Sequence, residues 1–185
     1  DESPRSIVNF PGMKKRTVIL YTFSKKFAMT GWRVGASIGP EPIIKHIARL
    51  NINDESCTNH FIQLALASVL NDGNNYGVKI IKRLVKRRDL CLKKLNSIKE
   101  INIPTPNSTF YLFPNITKIM KKKGYSNLEK FRVDSLKKTG VSFCTRDHFG
   151  TPDPKEDQKY IRLAYSGINR NQISKGLDKF IKWIN

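Results

Sequence analysis

The chain has 185 residues, of which 39% are hydrophobic and 26% charged, values typical of a globular protein with a sizeable core. This composition excludes disorder and collagen-like repeats, and no apolar run approaches the roughly 18 residues of a membrane span. Lysine and arginine number 34 against 15 aspartates and glutamates, which gives a formal charge of +19.

The first half of the chain predicts two strands and then helices. An apolar, β-branched run at residues 17–23 is typical of a strand covered on both faces, and Ser24-Lys25-Lys26 ends it abruptly. A second strand is expected at residues 34–38, closed by Gly39-Pro40. Apolar residues at helical spacing then predict helices at residues 41–50, 61–70 and 77–98.

Beyond Pro104 the pattern changes to short strands alternating with helices. Strands are expected at residues 109–113, 141–144 and 160–165, and helices at residues 118–123, 128–138 and 172–184. We divide the chain accordingly into a piece of a larger domain at residues 1–80, a connecting helix at 81–98 and a smaller α/β domain at 99–185.

The positive charge favours phosphate chains as partners, because basic surfaces bind them without sequence preference. The basic residues are dispersed, however, and many lie between residues 79 and 94, where a solvated helix face would place them. We therefore expect no nucleic-acid partner. Cys57, Cys91 and Cys144 are odd in number and widely spaced, which predicts reduced thiols in a cytoplasmic protein and no zinc site. A charged segment followed by an apolar one is not visible at the start of the sequence, so a secretory signal is not expected.

One segment carries residues suited to chemistry. Lys25 follows the first predicted strand, the place where open α/β sheets hold their ligands, and apolar surroundings would favour the neutral amine that attacks a carbonyl. Eight residues on, the planar guanidinium of Arg33 suits a phosphate, and the hydroxyls of Thr22 and Ser24 can donate to the same group. By spacing alone, a solvated surface lysine is the more frequent outcome.

Taken as a string, residues 22–33 (TFSKKFAMTGWR) resemble the lysine motif of class I/II aminotransferases, pyridoxal 5'-phosphate (PLP) enzymes of fold type I. The likeness continues without a gap to Gly39-Pro40. It implies that Lys25 forms the Schiff base with the cofactor and moves the proton of transamination. It also implies that Arg33 holds the cofactor phosphate, with Thr22 and Ser24 beside it. Lys26 stands where the family often has threonine.

Further likeness follows in family order, in three segments with the sequences TFYLFP, GVSF and HFG at residues 109–114, 140–143 and 148–150. YIRLAYS at residues 160–166 resembles the terminal strand whose arginine clamps the substrate α-carboxylate, a role that we assign to Arg162. The resemblance implies an α/β fold, namely the C-terminal part of a fold type I large domain plus the small C-terminal α/β domain.

Residues 51–60 resemble the loop that crosses the dimer interface in this family, so a homodimer is expected. Ser56, Thr58 and Asn59 are candidates for contact with the partner's cofactor or substrate. Capping of the following helix is an equally good interpretation of these residues. For His60 and His148 we favour a structural role over a role in substrate choice.

The resemblance lacks the aspartate that holds the pyridinium nitrogen. Asp1 is not followed by the expected tyrosine and lies too close to Pro11, so we place the true aspartate upstream. The implied function is transamination between an amino acid and a 2-oxo acid. A β-lyase or synthase on the same scaffold, and a non-catalytic basic fragment, remain as alternatives.

Overall fold

The computed structural model describes residues 5–151 and 153–185 and contains two compact units, with the boundary between Ile81 and Lys82. Asp1 lies outside the described residues. Each unit has a hydrophobic core of its own and is described separately.

The first unit is built on an antiparallel strand pair. Strand β1 is Ile19–Thr22 and strand β2 is Gly35–Ile38, with Thr22 opposite Gly35 in the register. Both predicted strands are confirmed, with shorter bounds. A Cβ on Gly35 would lie 2.8 Å from the carbonyl oxygen of Tyr21, so only glycine lets the two backbones approach this closely.

Two helices follow the strand pair, α1 at Glu41–Asp54 and α2 at His60–Asn71, and both were predicted with shorter bounds. Helix α2 packs part of its apolar surface with the strands around the buried side chains of Phe23, Val34, Ile62 and Leu66, whereas α1 has no buried side chain.

The expectation that the first strand is covered on both faces is wrong. Leu20 in the middle of β1 is 81% exposed, because no described element covers the face of β1 on which its side chain lies. The apolar run thus includes a strand face that the described residues leave uncovered.

The second unit combines a small antiparallel sheet with helices. Helix α3 (Gly77–Leu95) contains the unit boundary, and the later helices are α4 (Thr117–Lys122), α5 (Leu128–Thr139) and α6 (Arg170–Ile184). The strands are β3 (Tyr111–Leu112), β4 (Cys144–Thr145) and β5 (Ile161–Ala164), in the order β3-β5-β4. Strand β5 is therefore central, with neighbours on both edges.

Aromatic packing between α5 and α6 fixes the core of this unit. The ring of Phe131 on α5 is fully buried and lies 5.0 Å from the Trp183 ring and 6.5 Å from the Phe180 ring of α6, centre to centre. Phe143, just before β4, completes this cluster at 6.1 Å from Phe131. Such edge and tilted contacts stabilise aromatic pairs beyond the area that they bury.

Two predicted boundaries differ from the structure for identifiable reasons. The strand expected at residues 141–144 begins at Cys144, because the backbone of Val141 bonds to the side chains of Ser135 and Thr139 and so caps α5. Helix α3 ends at Leu95 rather than at residue 98, since the amides of Ser97 and Ile98 bond to carbonyls only three residues back, and the Ser97 hydroxyl also donates to the Lys94 carbonyl at 2.6 Å.

Some basic side chains of α3 are exposed to solvent, and at least one forms hydrogen bonds within the second unit. Lys79, Lys82 and Lys86 are exposed, as expected for a solvated face. Arg87 donates to the carbonyl oxygens of Tyr165 and Ser166, which ties α3 to the end of β5. Part of the positive charge is thus used to hold the second unit together.

All three cysteines are free, and burial raises the pKa of the Cys91 thiol to about 11. Among the described residues, no three His, Cys, Asp or Glu side chains are grouped to hold a metal ion. None of the helices in the described part of the chain has the length and apolarity needed to cross a membrane.

Candidate active site

Four of the five predicted site residues belong to the first unit, and the fifth, Arg162, belongs to the second. In the first unit, Lys25 comes three residues after the end of β1, at the start of a compact turn. The turn is closed by backbone hydrogen bonds from the amide of Phe27 to the carbonyl of Phe23 at 3.1 Å and from Met29 to Ser24 at 3.0 Å. These bonds bracket Lys25 and fix where its side chain leaves the backbone.

Contacts between aromatic side chains stabilise the same turn. Phe23 is buried, and its ring lies 5.0 Å from the Tyr21 ring and 6.0 Å from the Phe27 ring. Lys25 itself is exposed, so the expectation that apolar surroundings bury its amine is wrong for this chain by itself. The anchored backbone and the free amine together leave Lys25 accessible to a carbonyl compound.

The two hydroxyl residues are brought together. Ser24 is buried, and its backbone amide donates to Oγ1 of Thr22 at 3.2 Å. Thr22 is exposed and is the last residue of β1, so its side chain stands at the edge from which Lys25 departs.

Arg33 lies near the same edge of the strand pair. It lies two residues before Gly35, the partner of Thr22 in the register, and antiparallel strands place the end of β1 beside the start of β2. Nη1 of Arg33 donates to the Thr30 carbonyl at 2.9 Å, which leaves the Nε and Nη2 hydrogens for another acceptor. No carboxylate of residues 5–151 or 153–185 forms an ion pair with Arg33 or Lys25.

The backbone of Arg33 is left-handed, with φ of 50° and ψ of 55°. A residue with a Cβ pays roughly 1–2 kcal/mol for this conformation, and such residues concentrate at functional sites. Sequence reasoning did not predict this strain, since glycine is the usual signal for it and arginine occupies the position.

Arg162 in the second unit lies on the central strand β5, opposite Cys144 of β4. Its Nη2 approaches the Cys144 sulfur at 3.6 Å, and its Cζ lies 4.3 Å from the ring centre of Tyr111 and 4.5 Å from that of Phe149. Within the described part of the chain, Arg162 has no carboxylate partner. A half-buried guanidinium without a counterion is suited to binding an anion.

The segments of Tyr111 and Phe149 were expected in family order, but neither ring was predicted to contact Arg162. That contact depends on the pairing register of β3 with β5 and on the turn after β4, which no single stretch of sequence encodes.

Two of the remaining candidates, Asn59 and His148, have structural roles within their units. The side chain of Asn59 accepts from the amide of Phe61 at 3.2 Å and so caps α2, as the capping interpretation predicts. Nδ1 of His148 lies 2.7 Å from Oγ1 of Thr145, in a reciprocal cap of the turn that follows β4. The contacts predicted for residues 51–60 with a partner subunit stay predictions.

Comparison with known proteins gives one consistent result. The sequence pattern of the family "Aminotransferase class I and II" matches residues 3–180. An aspartate aminotransferase of Sulfolobus acidocaldarius is 31% identical over 181 residues, covering 98% of this chain and 44% of that protein. An aromatic-amino-acid aminotransferase of Thermococcus litoralis is 34% identical over 165 residues, covering 87% of this chain and 39% of that protein.

The fold agrees with the sequence matches. The crystal structure of an aromatic aminotransferase from Pyrococcus horikoshii superposes with a TM-score of 0.86 at 28% identity, covering all of this chain and 47% of that one. The predicted fold class, an α/β portion of a fold type I enzyme, is confirmed by this likeness. The chain spans less than half the length of the relatives that it matches.

Proposed function

Because the chain belongs to the class I and II aminotransferase family, whose members use PLP, we propose that it catalyses amino-group transfer from an amino acid to a 2-oxo acid. The single observation that carries this proposal is the Lys25 turn, in which an accessible amine, two hydroxyls and a guanidinium with free donors meet at one edge of the β1-β2 pair. The named relatives, all aminotransferases, favour transfer over a lyase, a synthase or a non-catalytic role.

The residues at this edge fit PLP in their donor chemistry. A phosphate needs charge-assisted hydrogen bonds, which Arg33, Thr22 and Ser24 can donate, and an aldehyde needs an accessible amine, which Lys25 supplies. No described carboxylate is paired with either cation to compete with the phosphate. When bound, PLP supplies an electron sink for the negative charge that forms on the substrate Cα.

The residues of this chain carry out the remaining steps. Lys25 would hold the cofactor through its ε-amine and, as a free amine, would take the proton from the substrate Cα. Arg33 would neutralise the phosphate and so help to hold the cofactor. Arg162 binds the α-carboxylate through two parallel hydrogen bonds, which orients the Cα–H bond for removal.

We assign residues 1–80 to the cofactor-binding large domain, 81–98 to a connecting helix and 99–185 to the small domain. We also propose a cytoplasmic homodimer, supported by three free cysteines and by the apolar side chains that α2 leaves exposed, among them Phe61 at 66%. The substrate side chain is left open, since the relatives include aspartate and aromatic aminotransferases.

The proposed reaction is tested by mixing the PLP-loaded protein with single amino acids and following the absorption of the cofactor. At least one amino acid should convert the aldehyde form to the amine form, and a 2-oxo acid should reverse the change. Release of ammonia or loss of the substrate side chain, with no amine form of the cofactor, would instead indicate a lyase.

Exchanges at Arg33 separate its cofactor role from its backbone strain. Arg33→Ala and Arg33→Gly both remove the guanidinium, so both should weaken PLP binding by roughly ten- to a hundredfold. Only glycine relieves the positive φ, so the cofactor-free Gly variant should unfold with a free energy about 1 kcal/mol higher than the Ala variant. The measurements are PLP titration and urea unfolding. Equal stability of the two variants would contradict the backbone strain at Arg33. Unchanged PLP affinity in both variants would contradict its role in binding the cofactor.

A further inference from the structure

Two aromatic rings flank the guanidinium of Arg162. The ring centre of Tyr111 lies 4.3 Å and that of Phe149 lies 4.5 Å from Cζ, distances at which the face of a ring attracts a cation. The rings come from different parts of the second unit, Tyr111 from β3 and Phe149 from the end of the turn after β4. The guanidinium is thus held from two directions.

The sheet register explains the contact with Tyr111. Tyr111 is opposite Ala164, which lies two residues from Arg162 on β5, so Tyr111 and Arg162 are diagonal neighbours on one face of the sheet. Cys144, directly opposite Arg162 on the other side, places its sulfur 3.6 Å from Nη2. The guanidinium therefore has neighbours from both strands that flank β5.

Phe149 is in turn held by aromatic contacts of its own. Its ring lies 6.5 Å from that of Phe113 in an edge-to-face arrangement, and Phe113 stacks on Tyr160 at 5.2 Å with an angle of 3° between the rings. Phe149 thus has an aromatic neighbour besides the guanidinium of Arg162. Phe149 remains 46% exposed, so its contact with the guanidinium does not depend on core burial.

We propose that Tyr111 and Phe149 are positioning residues, which hold the Arg162 guanidinium in the orientation that accepts a substrate carboxylate. This inference rests on the proposed function, because it assigns the rings to the carboxylate that Arg162 binds there. A flexible arginine loses rotamer freedom when it forms two parallel hydrogen bonds, and contact with the rings removes that freedom before substrate arrives. Apart from the contact of Nη2 with the Cys144 sulfur, no hydrogen bond within the described residues occupies the N–H donors of Arg162, which can therefore receive the carboxylate.

The test uses the PLP-loaded enzyme and the exchanges Tyr111→Leu and Phe149→Leu, each of which removes a ring and keeps apolar bulk. We expect KM for the amino acid and for the 2-oxo acid to rise about three- to thirtyfold, with kcat changed less than twofold. Tyr111→Phe and Phe149→Tyr keep the rings and should restore KM to within about twofold of the parent. If a leucine variant does not fold, a methionine variant, which keeps a longer side chain, replaces it.

A primary amine without a carboxylate, such as benzylamine, provides the readout that general damage would not reproduce. Its slow reaction with the bound cofactor should proceed at the parent rate in the leucine variants, whereas a disturbed fold would slow it together with the amino-acid reaction. Unchanged KM in the leucine variants, or equal slowing of amine and amino acid, would overturn the positioning role.

Arg162→Gln distinguishes the inference from the function on which it rests. If this variant raises KM for carboxylate substrates but the leucine variants do not, the positioning role alone fails. If Arg162→Gln also leaves KM unchanged, the proposed carboxylate site fails, and the positioning role with it.

Discussion

Replacement of Lys25 by arginine should lower kcat by about a thousandfold, because the exchange removes the amine that binds the cofactor covalently and moves the proton at Cα. Positioned proton transfer alone contributes roughly a hundred- to ten-thousandfold in enzymes, so a loss of this size is the expected signature. The measurement is the rate of amino-group transfer under saturating substrate and cofactor.

Lys26 provides a matched control for this loss. It carries the same side chain, is the next residue in the same turn and is also exposed, but its Nζ lies 5.6 Å from the ring centre of Phe27. Lys26→Arg should therefore retain kcat within about threefold. If Lys26→Arg lost the activity and Lys25→Arg kept it, the assignment of the catalytic lysine would be wrong.

Replacement of Arg162 by lysine should raise KM for both substrates by roughly ten- to a hundredfold while the cofactor stays bound. Lysine keeps the charge but cannot form two parallel hydrogen bonds to a carboxylate, and hydrogen bonds to charged groups are worth about 1.5–3 kcal/mol. Steady-state kinetics with the amino acid and the oxo acid varied separately measure this effect.

Arg146 offers the comparison for Arg162. It follows β4 in the same unit, but Glu156 already pairs with it at 3.3 Å and its Nη1 donates to the Gly150 carbonyl at 3.1 Å. Because its donors are engaged, Arg146→Lys should leave KM within about twofold of the parent. Similar increases in KM for both variants would point to general loss of positive charge rather than to a carboxylate site at Arg162.

The residues of the lysine turn lie together because they are close in sequence, and the roles predicted for them stay predictions. One short segment contains the end of a strand, the amine, both hydroxyls and the arginine, and the structure places them at one edge of the β1-β2 pair. The approach of Tyr111 to Arg162 was not predictable in this way, since it depends on strand register across more than 50 residues of chain, and the approach of Phe149 depends on the turn after β4.

The errors in the fold prediction share a physical cause. The apolar run around Leu20 was interpreted as a strand covered on both faces. Apolar side chains favour burial, but their presence does not show which element of the structure buries them. At Val141, β propensity was outweighed by hydrogen bonds to Ser135 and Thr139, which use the backbone for a helix cap. Both the exposure of Leu20 and the helix cap at Val141 depend on contacts with other parts of the structure, which the strand propensity of a short segment does not describe.

Borohydride reduction of the PLP-loaded protein, followed by peptide mass mapping, tests the assignment of Lys25 as the cofactor lysine. Reduction makes the bond between a lysine and the cofactor permanent, so the modified residue can be identified within the adjacent pair of lysines at the end of β1. Our account predicts a phosphopyridoxyl group on Lys25 and none on Lys26. A group on Lys26 or on another lysine, or no modified peptide at all, would contradict it.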